Sequence, residues 1–393
     1  MNRKDFIKQL GVLGVGASVF PGLLNSCAEE DFEVNFDGRV IVIGAGAAGL
    51  MAAYTLKKHN IDFQLIEATS IYGGRVKMDD KLADFPIDIG AEWLHTAPSV
   101  FGRLLDNDDA SGSIDIISYN PKTMYNWDNG QLVKRYWQSP FYGEFKFKST
   151  TWLQFFTDFV VPEIEDNIIY DSPITSIDYT GDQVNLEDQS GNKYTADRVL
   201  ITVPLNVLKA DIINFVPSLP ANKTDALAKT DMPPGLKVFV KFSERFYHDI
   251  ITVAATTTGS TERIYYDAAF NKDTNDNVLG LFNVGSNAHE FTDLDDEGIL
   301  AKVLSDLDAM FDGKATETYQ SHIIQNWSKE PYVLGSYIHA GDDHYDVVDA
   351  IKAPVDGKVY FAGEALHADE WSTVHGAGFS GIETVKEILQ TTL

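Results

Sequence analysis

From Arg39 the chain reads RVIVIGAGAAGLMAAYTLKKHNIDFQLIEA: an apolar run, a glycine turn, an alanine-rich stretch and a second apolar run ending at Glu67. The pattern predicts strand, helix and strand in one βαβ unit. Residues 235–242 read GLKVFVKF, where Leu236, Val238, Val240 and Phe242 alternate with Lys237, Phe239 and Lys241. That period of two predicts a strand with one buried face. It leaves Lys237 as either a solvated charge opposite that face or a group positioned in a reaction site. Residues 359–381 predict a buried strand, a loop and the start of the amphipathic helix GAGFSGIETVKEILQ, and DEGILAKVLSDLDAMF predicts another helix.

The first 27 residues have a different character. MNRKDFIKQ is a basic start, LGVLGVGASVFPGLL a short apolar core, and Cys27, the only cysteine of the chain, follows it. This is the layout of an export signal rather than of fold, and the apolar stretch is short for a membrane span. Cys27 resembles the lipid-attachment cysteine of a bacterial lipoprotein, and RKDFIK loosely resembles a twin-arginine signal with Lys4 in place of the second arginine. The expectation is an exported lipoprotein, periplasmic or on the cell surface, touching the membrane only through a lipid at Cys27. One cysteine also excludes an intrachain disulfide.

With 393 residues, 44% hydrophobic and 23% charged, the chain is long and apolar enough for two or more cored domains. Its formal net charge of -27 argues against a nucleic-acid partner; it reads first as a solubility device, and it would also attract small cationic ligands.

Chemistry enters with the glycines of the βαβ unit. Gly44 permits the tight turn, Gly46 lets a pyrophosphate approach the backbone, and Gly49 lets the helix lie close on the sheet, with amide donors facing the anion. Glu67, at the end of the second strand, suits a free ribose 2′-hydroxyl. Soon after it, IYGGRV adds Gly73, Gly74 and Arg75, a second backbone approach and a guanidinium for the same diphosphate.

This layout resembles the FAD site of the flavin monoamine oxidase and polyamine oxidase superfamily. The resemblance runs from about residue 36 to 390, and FAGE…TVHGA at 361–377 is its other specific motif. It implies an α/β fold: a discontinuous Rossmann-like FAD-binding domain of residues 36–95, 166–215 and 345–393, and an α+β substrate domain on a mixed sheet, residues 96–165 and 216–344. It also implies that Ala47, Ala48, Ala68, Gly90, Ala91, Glu92, Val203, Trp327, Gly363, Glu364, Thr373, Val374 and Ala377 join the glycines, Glu67 and Arg75 around FAD. Ile174 would meet the adenine through its backbone. Glu364 would face the ribityl or phosphate part, and the TVHGA turn would start a helix under the flavin ring, with His375 structural. Ser336 stands where covalent members carry a cysteine, so the FAD is expected to be noncovalent.

By the same resemblance, Lys237 is the catalytic lysine that holds a water against flavin N5. Tyr337 would lie beside the flavin, and Glu92, Trp93 and His95 of DIGAEWLHTAP would line the substrate path. Thr373 takes the position of a frequent second cage tyrosine, and Trp371 is a substitute wall. The implied reaction is oxidation of a polyamine-like primary or secondary amine to an imine, with hydride passing to the flavin and oxygen leaving as hydrogen peroxide. The stretch between Trp93 and TTWLQFFTDF is short for the family, so the substrate lid is expected to be reduced. An L-amino-acid oxidase would need a carboxylate-binding arginine, for which Arg103, Arg135, Arg245 and Arg263 are candidates. A non-catalytic FAD-binding protein or a flavin desaturase shares the nucleotide motif.

Overall fold

The computed structural model describes residues 33–392 apart from 108, 110, 111, 113, 136–143, 254–260, 340, 342 and 343. The leader and Cys27 lie outside the described residues, and residues 35–393 cluster as one compact unit. Among the described residues no helix is long and apolar enough to cross a membrane.

The βαβ unit forms as strand Arg39–Ile43, helix Ala47–Lys58 and strand Asp62–Ile66. These belong to a five-stranded sheet in the order Val359–Phe361, Arg198–Ile201, Arg39–Ile43, Asp62–Ile66, Ile168–Ile169, with every pair parallel. Parallel sheets are covered on both faces, which is why these strands lack polar alternation. The helix Val374–Leu389 lies along Ala47–Lys58. Small residues set that approach: a Cβ at Gly381 would come within 2.2 Å of the Ala48 carbonyl oxygen. Residues 39–66 and 359–389 therefore join in one α/β Rossmann-like layer.

A four-stranded sheet, in the order Lys193–Ala196, Val184–Asp188, Ile174–Asp178, Asn214–Val216, is inserted in sequence around strand Arg198–Ile201 of that layer. The largest sheet has seven strands: Tyr319–Asn326, Gly235–Phe242, Asn277–Gly285, Thr261–Asp267, Ile250–Val253, Met124–Asp128 and Gln131–Arg135. It is mixed, because Ile250–Val253 runs parallel to Met124–Asp128 while the other pairs are antiparallel.

The strand Gly235–Phe242 departs from its sequence pattern. It is buried on both faces, with only Lys241 half-buried. Leu236, Val238, Val240 and Phe242 pack with Ile299, Val303 and Leu307 of helix Asp296–Met310. Phe239 packs on the other side with Phe85, Ile87, Tyr119 and Tyr266. A period of two distinguishes two faces and does not say whether the second meets water.

The helix pair generates a test. Replacing Gly381 by valine should force the two helices apart and destabilise the protein by about 3 kcal/mol, the upper end of overpacking costs. Gly181→Ala, where the nearest atom to a new Cβ is 3.6 Å away, should leave the melting temperature unchanged. Thermal melts of both variants check this.

Candidate active site

The two glycine loops lock together through the backbone. Gly73 N–H donates to the Ala45 carbonyl at 2.7 Å, and Gly46 and Gly73 form an isolated parallel bridge. Gly44 and Gly73 have φ of +100° and +112°, which L side chains rarely adopt. A Cβ at Gly49 would sit 1.8 Å from the Gly44 carbonyl oxygen. Thr202, unnoticed in the sequence, donates its hydroxyl to that same oxygen at 2.8 Å. Helix Ala47–Lys58 begins at Gly46 with no side-chain cap and no acidic residue in its first turn, so the amides of Ala47 and Ala48 face an anion-ready end. The Glu67 carboxylate is buried and accepts from Ala45 N at 2.7 Å and from Thr69 N at 2.9 Å, with Ala68 half-buried beside it.

Arg75 ties this cradle to the far end of the chain. Its Nη1 donates to the Ser336 carbonyl at 2.7 Å and to Glu364 Oε1 at 2.8 Å. Glu364 Oε2 is buried and has no hydrogen-bond partner among the described residues. Ala91 N donates to the Arg75 carbonyl at 3.2 Å, and a Cβ at Gly90 would lie 1.9 Å from it. Gly363, with φ +157°, has nothing within 4 Å of the position a Cβ would take. Trp327 is buried, with the Lys77 ammonium 5.3 Å from its ring. Thr373 caps helix Val374–Leu389 by accepting from Gly376 N, and Val374 and Ala377 are buried in its first turn. His375 pairs with Glu370 at 3.0 Å, a structural role. Ile174 and Val203 pack in the core around the parallel sheet. A buried carboxylate oxygen without a donor, an open glycine and an uncapped helix start fit a hydroxyl-bearing dinucleotide such as FAD.

Lys237 is 3% exposed and sits in a cluster that its own strand does not disclose. Its Nζ donates to Glu92 Oε2 at 2.7 Å and to the Asp88 carbonyl at 3.2 Å. Lys146, from strand Phe145–Phe147, reaches Glu92 Oε1 at 2.5 Å, and the Tyr266 hydroxyl donates to Oε2 at 2.5 Å. Trp93 lies against both ammonium groups, its ring centre 5.1 Å from Lys237 Nζ and 5.2 Å from Lys146 Nζ. Burial alone would raise the Glu92 pKa, but the Lys146 and Lys237 cations hold it at about 2. Burial lowers that of Lys237 in spite of Glu92, and the Lys146 charge adds to the lowering. Asp88 is raised by burial and then by the Glu92 charge.

Several expectations change here. Glu92 is not a free carboxylate waiting for a substrate ammonium, because both its oxygens are taken. His95 is exposed and pairs with Glu144 at 2.7 Å. Tyr337 is half-buried and stacks with Phe282, ring centres 6.4 Å apart and nearly parallel. Burial, then the charges of Glu262 and Glu364, raises its hydroxyl pKa. Trp371 packs instead on His344 at 4.5 Å and on Tyr345, and no ring contact joins it to Tyr337 among the described residues. The ring that stacks on Tyr337 is Phe282, which also meets Trp93. Lys146 and Tyr266 were missed. The signal for Lys146 was a lysine between two aromatics in FKF at 145–147, and Tyr266 sits in the alternating run TERIYYD at 261–267.

Comparison with known proteins agrees with this geometry. The family model described as NAD(P)-binding Rossmann-like domain matches residues 42–107, and that described as flavin containing amine oxidoreductase matches residues 154–389. Polyamine oxidase 4 of Oryza sativa subsp. japonica is 33% identical over 215 residues, 54% of this chain and 43% of that protein. Lysine-specific histone demethylase 2 of Homo sapiens is 24% identical over 99% of this chain and 56% of its own length. The chain thus spans about half the length of these curated relatives. A structure of putrescine oxidase bound to putrescine superposes with a TM-score of 0.75 at 16% identity, covering 91% of this chain and 100% of that one, which supports the fold. Since one family model alone covers more than half of the chain, the chain belongs to the flavin containing amine oxidoreductases.

Proposed function

We propose that this protein oxidises a primary or secondary amine of polyamine type to the imine, using noncovalently held FAD and releasing hydrogen peroxide. The observation that carries the reading is Arg75, which joins the glycine cradle to Glu364 and to the backbone of Ser336, one residue before Tyr337. Family membership, relatives named for polyamine and putrescine oxidation, and the net charge of -27 support the choice of substrate. When bound, FAD supplies the acceptor for the two electrons and the hydrogen leaving the amine α-carbon.

The chain's own residues bind and orient. The amides after Gly46 and the Arg75 guanidinium hold the diphosphate, and Glu67 and Glu364 accept from hydroxyls. Ser336 carries a hydroxyl that donates to the Pro233 carbonyl at 2.8 Å, so no thiol stands there to form a covalent bond. Tyr337 and Phe282 give an apolar wall that excludes water and aligns a neutral amine, which supplies much of the acceleration. Lys237 donates two of its three protons, to Glu92 and to the Asp88 carbonyl. The third would hold an ordered water at the reacting face.

For the amino-acid reading, none of the four candidate arginines is placed as a carboxylate clamp among the described residues. Arg103 lies over the Phe379 ring at 4.4 Å, Arg135 is exposed at a strand end, Arg245 pairs with Asp249 and Asp267, and Arg263 with Asp306.

Three outcomes are expected. Anaerobic mixing of the FAD-loaded protein with putrescine, spermidine and spermine should bleach the flavin, whereas Lys237→Met should slow bleaching or reoxidation sharply; bleaching by L-amino acids alone would replace the proposal. Arg75→Met should weaken FAD binding by about 10- to 100-fold, the value of about 1.5–3 kcal/mol for a charged hydrogen bond, as read by flavin fluorescence. Export with a lipid anchor predicts that cells fed labelled palmitate mark the full chain and not Cys27→Ser.

A further inference from the structure

Two buried ammonium groups share one carboxylate in this protein, and only one of them has a part in the proposed reaction. Lys146 is 1% exposed, contacts Glu92 Oε1 and is ringed by Trp93, Tyr119 and Tyr266 at 5.2, 5.0 and 4.7 Å. A lysine so placed costs several kcal/mol in desolvation unless it is paired. A single lysine would already neutralise Glu92, and the second shares the same carboxylate through its other oxygen. Its effect must be felt where the shared carboxylate acts next, at Lys237.

We propose that Lys146 is a positioning residue for Lys237: it competes for the carboxylate of Glu92, and so sets both the direction of the Lys237 ammonium and how firmly Glu92 holds it. The contact on Oε1 turns the other oxygen, braced by the Tyr266 hydroxyl, toward Lys237. By drawing part of the Glu92 charge to itself, Lys146 keeps Lys237 from being locked in a one-to-one ion pair. The groups that face Lys237 are Asp88 and Glu92 from the segment before the short stretch, Lys146 from strand Phe145–Phe147, and Tyr266 from strand Thr261–Asp267. Lys272 and Asp267 act on the same cluster from farther out, and Tyr119 lies against Lys146 within it. The inference rests on the proposed role of Lys237 for its catalytic meaning, and on the geometry alone for its physical content.

The test reads Lys237 directly. FAD-loaded protein with 15N at the lysine side-chain nitrogens is titrated by NMR, the Lys237 resonance being identified by its loss in Lys237→Met. Lys146→Met should move the Lys237 titration to higher pH, because Glu92 then acts on it alone. Glu92→Gln should move it to lower pH, because two cations then face each other. Lys146→Arg should restore the wild-type position, and Lys146→Gln replaces the methionine variant if that is insoluble. Equal or same-direction shifts in the Lys146 and Glu92 variants would overturn the inference, since loss of packing moves both alike. The pH profile of kcat for amine oxidation should show the same opposed displacements. Opposed NMR shifts with an unchanged rate profile would support the Lys146 assignment and remove Lys237 from the reaction instead.

Discussion

A charged side chain is costly to take out of water unless it is paired or hydrogen-bonded, and Glu92 is the partner on which the lysines at the centre of this molecule depend. Its carboxylate joins three separate stretches of chain: Lys237 from the second strand of the seven-stranded sheet, Tyr266 from the fourth, and Lys146 from a strand outside that sheet. The segment carrying Asp88, Gly90 and Ala91 is held at the same time by Arg75 and Lys77, whose carbonyls accept from Ala91, Ile89 and Gly90. The reaction side and the nucleotide side are thus fastened to one short piece of backbone.

The nucleotide side rests on a different constraint, the absence of side chains. Gly49 and Gly381 bring a helix onto a loop and a second helix onto the first at distances no Cβ would allow. This close packing brings helices Ala47–Lys58 and Val374–Leu389 together, and with them Arg75 and Glu364, 289 positions apart in sequence. The attraction between that guanidinium and carboxylate is then a consequence of helix packing more than a cause of it.

What was legible in the sequence follows from how local each cause is. The βαβ unit, its glycines and Glu67 are dictated within thirty residues, and the C-terminal helix carries its own pattern. Arg75 and Glu364 were recognisable as motif residues, although their contact is not local. Glu92 and Lys237 were each singled out, but their mutual bond, and the burial of both faces of GLKVFVKF, depend on what covers the strand. Lys146 lies in a strand of three residues, too short for any period to stand out. Trp371 was assigned by position relative to Thr373, whereas its neighbours are fixed by the helix His344–Lys352, whose placement no local pattern announces.

The hydroxyl of Ser336 has a consequence for the protein as a material. A cofactor kept by hydrogen bonds and charge is in equilibrium with solution, so the folded state gains RT ln(1 + [FAD]/Kd) and loses it on dilution. Resistance to heat is then partly a property of the surrounding medium, and the emptied protein can be refilled with altered flavins, an exchange that a thioether at this position would forbid.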